Sequence, residues 1–314
     1  VARDLDLIRA TLGEEKISLL GYSDGTYQCA VYGSMFGERV DRHVLDSSVD
    51  PRALWRGQYM TQAVAIRRNV DAWAGWVGEH HSVYGLGADP VAVLASVEEI
   101  GERLAAAPLG GVDRTVLDGL VGVGATHRPL WGELATTVVA LGAGEYAAVE
   151  AAWLLAAPEW EQPAPGVTEV SGLVEATTSE GEWPSDLEVY YRDMRHYRRH
   201  YFYGYGVLRA QPWVAAFRSQ PPREALTEVA RNGYEPGLVV HAQGNPTLSY
   251  NGAVDMAARL GDRLVTVADD GSNEVFAVRG HQEVDRTVVD YLVDGTLPES
   301  NLILPSTPRP APTA

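Results

Sequence analysis

One stretch near the start of the chain decides the fold, and it reads Lys16-Ile17-Ser18-Leu19-Leu20-Gly21-Tyr22-Ser23-Asp24-Gly25. Residues 16–20 have the apolar character of a short buried strand, and a helical pattern follows from Thr26 towards Phe36. The pattern Gly-x-Ser-x-Gly between a strand and a helix is typical of a nucleophile elbow, a strained turn that lifts a serine hydroxyl above a sheet. Ser23 is therefore the candidate nucleophile. A turn that serves the fold alone is the alternative interpretation.

Helix and strand patterns alternate on both sides of this turn. Leu5, Ile8 and Leu12 share one face of a helical pattern, and strands are predicted at 16–20, 42–46, 237–242 and 263–267. This order predicts an α/β fold with a mostly parallel sheet. The predicted domains are a first core part over 1–51, a helical lid or cap over 52–236, a second core part over 237–297 and a flexible tail over 298–314.

The composition narrows the range of partners. The 314 residues are 46% hydrophobic and 21% charged, which predicts a packed core. The net charge of -17 argues against nucleic acid or an anionic membrane as a partner, and no apolar run approaches the ~20 residues of a membrane span. Cys29 is the single cysteine, so no internal disulfide is possible. No signal peptide is visible, and the sequence leaves the localisation open. The expected ligand is a peptide or a small molecule. No cofactor is expected.

Several motifs resemble those of the tripeptidyl-aminopeptidase-like α/β-hydrolases of actinobacteria. They lie along nearly the whole chain, at residues 21–27, 30–36, 39–47, 71–73, 84–87, 182–184, 284–286 and 294–298. The resemblance implies an α/β-hydrolase fold with a large helical lid insertion. It also implies a serine hydrolase that removes short peptides from a free amino terminus.

The sequence departs from this family at three catalytic positions. The triad aspartate is expected in an Asp-Pro pair, where this chain has Asn245-Pro246. Asn273 stands where the resemblance places the catalytic histidine, and Asp24 replaces a residue that is usually tyrosine. Asn245 and Asn273 are thus the predicted acid and base positions, and the backbone of Asp24 is the predicted oxyanion donor.

These replacements predict a weak or inactive enzyme. An asparagine amide has no protonation equilibrium near neutral pH, so Asn273 cannot act as a general base, and the loss of a triad histidine costs about 10⁶ in turnover. A carboxylate at position 24 would also oppose the negative charge that an oxyanion hole stabilises. His281 is the one histidine near the expected position, and its recruitment as a substitute base is a minor alternative.

Other polar and aromatic residues permit two interpretations. The resemblance implies that Glu180 and Glu182 bind the ammonium group of a substrate. The alternative is that both are solvent-facing carboxylates in a loop. His196 and His200 have the spacing of a metal pair, but neighbouring arginines favour a solvated or tyrosine-packed face, so no metal site is expected. The tyrosines between 190 and 205 favour packing, with one or two facing a pocket.

The start of the sheet carries a further expectation. In this fold, strands and an oxyanion donor precede the elbow, and only about twenty residues do so here. The sequence therefore predicts an unpaired edge at 16–20, with a second chain or a longer polypeptide supplying the amino-terminal strands. Two functions remain open: a serine exopeptidase with reduced or rescued activity, and a non-catalytic hydrolase-fold binding protein or fragment.

Overall fold

The computed structural model of the chain describes residues 1–156, 178–181, 183–222, 224–268 and 271–312. These residues divide into two compact units. The core unit comprises the described residues of Val1–Thr61, Ser179–Glu182 and Ser219–Thr307, and the helical unit comprises those of Gln62–Thr178, Trp183–Arg218 and Pro308–Ala314. The first boundary is Thr61 where the sequence predicted residue 51, because the start of a long helix remains with the core unit.

The core unit contains one five-stranded sheet. Its strands are β1 (Ile17–Tyr22), β2 (Val40–Asp46), β3 (Leu238–Ala242), β4 (Arg263–Val267) and β5 (Leu302–Leu304). They are adjacent in the order β1-β2-β3-β4-β5, and every neighbouring pair is parallel. The predicted α/β fold and its four predicted strands are confirmed.

Helices form most of the remaining described elements, and they follow one another along the chain in this order. They are α1 (Ala2–Thr11), α2 (Asp24–Met35), α3 (Arg56–Glu79), α4 (His81–Tyr84), α5 (Pro90–Ala106), α6 (Arg114–Ala125), α7 (Trp131–Ala143), α8 (Ala148–Ala156), α9 (Leu187–His200), α10 (Gly206–Arg209), α11 (Tyr250–Leu260) and α12 (Gln282–Asp294). Of these, α2 contacts β1 and β2, α11 contacts β3 and β4, and α12 contacts β2.

The central strand β3 is covered on both faces. All five of its residues are buried, and successive side chains of a strand point to opposite faces. Val240 and Val265 from the sheet pack with Val284 and Val288 of α12 in one apolar cluster. Burying a side chain of this size contributes about 1.5–3 kcal/mol, so this cluster holds the carboxyl ends of the strands in fixed positions.

The carboxyl-terminal tail differs from the sequence prediction. We expected 298–314 to be flexible, because prolines dominate the end of the chain, but Leu302–Leu304 forms β5 against β4. The Ala268 N–H donates to the Leu304 carbonyl at 2.8 Å, and the Leu264 N–H donates to Asn301 Oδ1 at 3.0 Å. The segment is ordered because it satisfies backbone groups that β4 would otherwise leave unpaired.

The opposite edge of the sheet is unpaired within the described part of the chain. β1 has β2 as its one neighbour, and Leu20 of β1 is 41% exposed. Helix α1 exposes Leu7 and Ile8, and Leu12, directly after the helix, is also exposed. The predicted free edge at β1 is therefore present.

The helical unit has its own apolar core. Trp73, Trp76 and Trp131 are fully buried in it, and Asp89 caps α5 by accepting a hydrogen bond from the Ala92 N–H at 2.9 Å. Tyr190 and Tyr197 are buried, as expected for packing side chains. Within the described residues between 52 and 236 no strand forms beyond a single Leu109–Val112 bridge. None of the described helices is both long and apolar enough to cross a membrane.

Candidate active site

Ser23 lies at the sharp turn between β1 and α2. Its φ of 53° and ψ of -124° place a non-glycine residue in a strained conformation that costs about 1–3 kcal/mol. Its N–H donates to the Asp46 carbonyl at 3.1 Å, and Thr26 Oγ1 donates to the Ser23 carbonyl at 2.6 Å. The turn is thus fixed from the neighbouring strand and from the helix, as a nucleophile elbow requires.

Gly21 makes this turn possible, because a Cβ there would lie 2.7 Å from the Gly25 carbonyl oxygen. Any larger residue would push α2 away from β1. Gly25 is not required for this close packing, since no atom lies within 4 Å of the position that its Cβ would occupy. The close approach inferred from the two glycines therefore depends on Gly21.

Asn245 and Asn273 are in direct contact. Asn245 is 3% exposed and follows β3, while Asn273 follows β4. Asn245 Oδ1 accepts hydrogen bonds from the backbone N–H groups of Thr247 and Leu248, each at 2.9 Å. Its Nδ2 therefore faces the other way and donates to Asn273 Oδ1 at 3.1 Å. Two carboxamides pair here, and neither can take a proton from a serine near neutral pH.

The loop that carries Asn273 is bound to the end of β2. Asp46 is fully buried and accepts hydrogen bonds from the backbone N–H groups of Val275 and Phe276, at 2.9 and 2.6 Å. Ser47 Oγ accepts from the Glu274 N–H at 2.7 Å. Burial raises the pKa of Asp46 to about 6, although these hydrogen bonds favour its ionised form.

Arg279 adds a further contact to the same loop. Its guanidinium donates to the Asn273 carbonyl oxygen, from Nε at 3.2 Å and from Nη2 at 3.0 Å. Sequence reasoning assigned no role to Asp46, Ser47 or Arg279. The Asp-Ser pair directly after a predicted strand is the signal that could have indicated the first two.

Among the described residues, no histidine is hydrogen bonded to the side chain of Ser23, Asn245 or Asn273. His281 caps α12: its Nδ1 accepts from the Val284 N–H at 3.3 Å, and its Nε2 donates to the Pro305 carbonyl at 2.8 Å. Both ring nitrogens are therefore occupied by backbone groups, which gives His281 a structural role. These contacts give no support to the minor alternative in which His281 acts as a substitute base.

His241 is the other histidine near the carboxyl ends of the strands. It is fully buried, Nδ1 accepts from the Ser48 N–H at 3.1 Å, and Nε2 faces the Leu248 carbonyl at 3.2 Å. This pattern fixes the neutral tautomer with the proton on Nε2. Burial lowers the pKa of His241 to about 4. These contacts connect His241 of β3 with Ser48, which follows β2, and with Leu248, which follows β3.

Asp24 is the first residue of α2, so its N–H has no acceptor within the helix and can serve as an oxyanion donor. Its carboxylate is exposed, and Oδ1 accepts a hydrogen bond from Gln58 Nε2 at 3.1 Å. The predicted donor and an opposing negative charge thus belong to one residue.

Burial raises the pKa of the Tyr27 phenol to about 12, and the charge of the nearby Glu180 contributes in the same direction. Glu182 lies outside the described residues. The rings of His196 and His200 pack against each other with centroids 4.7 Å apart and planes tilted by 43°. Among the described residues no three His, Cys, Asp or Glu side chains are grouped as a metal site would require.

Comparison with known proteins agrees with this fold. The sequence model of the "alpha/beta hydrolase fold" family matches residues 1–83, and that of the "TAP-like protein" family matches residues 205–303. The "Tripeptidyl aminopeptidase" of Streptomyces coelicolor is 31% identical over 325 residues, covering 98% of this chain and 58% of the relative. The "Serine protease Hip1" of Mycobacterium tuberculosis is 28% identical over 96% of this chain and 60% of its own length.

The elbow turn, the parallel sheet and these matches define an α/β-hydrolase. Within that class, the chain belongs to the TAP-like family related to tripeptidyl aminopeptidases. It spans about three fifths of the length of these curated relatives, 58% in the case of the Streptomyces coelicolor protein.

Proposed function

We propose that this α/β-hydrolase retains a binding site for peptide amino termini but has little or no acyl-transfer activity. The hydrogen bond from Asn245 Nδ2 to Asn273 Oδ1 carries this proposal. It joins the two positions at which the family resemblance places the triad acid and base. With an amide at each of these two positions, neither can accept the proton of the Ser23 hydroxyl.

The substrate class follows from the relatives. Two of them are named tripeptidyl aminopeptidase, which describes an enzyme that acts at the amino terminus of a peptide. A protein that binds such a terminus needs an acceptor for an ammonium group, and Glu180 is an exposed carboxylate of the core unit. We assign this role to Glu180, with Glu182 as a second candidate from the sequence.

An active serine exopeptidase is the second candidate function. The strained backbone of Ser23 favours it, because that conformation is costly and is a feature of working nucleophile elbows. Such an enzyme would need a base from outside the Asn245–Asn273 pair.

Labelling with a fluorophosphonate probe tests the proposal. The probe reacts with activated serines, so the unmodified chain should label at the level of its Ser23→Ala variant, and peptide p-nitroanilide turnover should stay at background. Labelling well above that variant would support the exopeptidase. Binding of a free-amine peptide, measured separately, tests the retained site.

We further propose that β1 pairs with a strand from outside these 314 residues. The free edge carries unpaired backbone groups beside the exposed Leu20 and the apolar residues of α1. A partner chain or a further segment of the same polypeptide would both satisfy this edge.

A further inference from the structure

The proline-rich residues 308–312, which we call the 308–312 segment, belong to the helical unit. Their sequence is Pro308-Arg309-Pro310-Ala311-Pro312. Trp76 Nε1 donates a hydrogen bond to the Pro310 carbonyl oxygen at 3.2 Å. Pro310 is half-buried, whereas the other four residues of the segment are exposed. The segment therefore lies on the surface of the helical unit and is held there through a backbone carbonyl.

The sequence of this segment restricts its conformation before it makes any contact. A proline fixes its own φ at about −65°, and the residue before a proline is biased towards extended backbone, so every residue from Thr307 to Pro312 is restricted. An extended proline-rich chain makes no internal hydrogen bonds, which leaves its carbonyls available to a partner. Binding such a segment consequently costs little conformational entropy.

Trp76 presents its N–H from a fixed aromatic surface. It is 1% exposed, and its ring packs against Tyr84 and Trp131 with centroids 5.5 and 5.8 Å apart. Trp131 Nε1 donates within the unit, to the Ala125 carbonyl at 2.8 Å, whereas the Trp76 N–H is directed at the segment. Aromatic surfaces are a recurring means of binding extended proline-rich peptides.

Arg309 adds charge recognition to this contact. Its guanidinium carbon lies 5.9 Å from the centroid of the Trp131 ring, within the range of cation–π attraction. Its Nη1 lies 3.9 Å from Glu79 Oε1. Glu79 follows Trp76 by three residues on α3, so both side chains lie on one face of the helix. The helical unit thus offers a donor for the Pro310 carbonyl and a carboxylate for Arg309.

Burial of apolar side chains does not explain these contacts. Pro308, Ala311 and Pro312 remain exposed, while the contacts of the segment involve a carbonyl oxygen and a guanidinium. Hydrogen-bonding and charged contacts of this kind select a sequence, which a terminus that merely covers apolar surface does not require.

We propose that Trp76, Glu79 and Trp131 form a recognition site for an extended Pro-Arg-Pro peptide, which the 308–312 segment of the same chain occupies. A separate peptide of this sequence class enters the site when the segment leaves it. A tethered ligand competes at an effective concentration on the order of mM, so the segment excludes weak external peptides. The site is independent of the catalytic positions and of the function proposed above.

Fluorescence anisotropy with a labelled peptide of residues 305–312 tests the site. It compares the full-length wild type with a full-length segment variant that carries Pro308→Ala, Arg309→Gln, Pro310→Ala and Pro312→Ala. These changes leave α3 and α7 untouched. The segment variant should bind the peptide at least tenfold more tightly than the wild type, because its own segment no longer competes. Equal affinities, or no binding to the segment variant, would overturn the proposal.

Further substitutions in the segment variant test the individual contacts. Trp76→Phe keeps an aromatic ring and removes the donor, so it should weaken peptide binding about fivefold. Glu79→Gln should weaken it about threefold, and a peptide with glutamine in place of the arginine should bind equally with and without this change.

Glu102→Gln on α5 is the matched control, since it removes another exposed carboxylate of the helical unit, and it should leave peptide binding unchanged. Thermal melting confirms that each variant is folded. If folded Trp76→Phe and Glu79→Gln both bind the peptide as their parent does, the peptide binds elsewhere and the assignment is wrong.

Discussion

Asn245 Nδ2 donates a hydrogen bond to Asn273 Oδ1 across 3.1 Å, and two backbone N–H groups hold the Asn245 carbonyl oxygen. An aspartate at position 245 could accept the same two backbone bonds with one oxygen and present the other to position 273. If positions 245 and 273 are those of the triad acid and base, as the resemblance implies, the titrating groups have been replaced by amides and the backbone support of the acid has been kept.

Restoring the base tests the site assignment. Asn273→His should raise fluorophosphonate labelling of Ser23 above the unmodified chain, because an imidazole at this position can take the serine proton. Adding Asn245→Asp should raise it further, by as much as ~10⁴, since the acid fixes the imidazole tautomer. Recovery should remain incomplete because the Asp24 carboxylate weakens the oxyanion hole.

Two controls accompany this experiment. Asn245→Asp alone should change nothing, because an acid without a histidine has no tautomer to fix, and Ser23→Ala in the double variant should abolish labelling. If folded Asn273→His labels no better than the unmodified chain, position 273 is not the base position and the assignment is wrong.

The strain at Ser23 has a measurable consequence for stability. Ser23→Gly should increase the free energy of unfolding by about 1 kcal/mol relative to Ser23→Ala, because glycine adopts a positive φ without steric cost and alanine does not. Urea denaturation of the two variants measures the difference. Equal stability of the two would mean that the turn is relaxed and that strain is no argument for a retained nucleophile.

His241 predicts a specific dependence of stability on pH. Its folded-state pKa of about 4 lies below the ordinary value of 6.5, so between these values the unfolded chain binds a proton that the folded chain does not. The His241 contribution is therefore complete above pH 6.5 and is lost as the pH falls towards 4, by about 3 kcal/mol. The variant His241→Gln keeps one donor and one acceptor but does not titrate.

Chemical denaturation of both proteins at several pH values measures this contribution. The stability difference between wild type and His241→Gln should shrink or reverse as the pH falls from 6.5 to 4. A constant difference across this range would show that His241 does not remain neutral in the folded chain.

The sequence predicted the elements whose signals are local. The elbow between β1 and α2, and strands β2, β3 and β4, all follow from short apolar runs bounded by glycine or polar turns. β5 was missed because Leu302–Leu304 becomes a strand only by pairing with β4, and prolines dominate its surroundings. The contacts of Asp46 with Val275 and Phe276 join positions about 230 residues apart, so no local pattern indicates them.

The same distinction applies to the candidate site. Asn245 and Asn273 were identified through resemblance to a family, since an asparagine carries no catalytic signal of its own. No local pattern in the sequence indicates that Gln58 Oε1 and Trp55 Nε1 are buried without hydrogen-bond partners among the described residues. From the sequence, Asp24 is interpreted as a residue that weakens the oxyanion hole, and the structure adds its hydrogen bond from Gln58.

The free edge of β1 leads to the last prediction. β3 has a hydrogen-bonded neighbour on each side, whereas β1 has β2 alone within the described chain. In a monomer of these 314 residues, the outward-facing amides among Ile17 to Leu20 should exchange hydrogen rapidly, while the amides of β3 serve as a protected internal control. If a partner strand is added, or if the chain associates through this edge, protection of the β1 amides should rise towards that of β3.

We also expect the isolated chain to associate or to be poorly soluble, because exposed backbone groups of β1 lie beside Leu20 and the apolar face of α1. Strong protection of every amide from Ile17 to Leu20 in a well-behaved monomer would contradict both expectations, since a segment of this chain would then cover the edge.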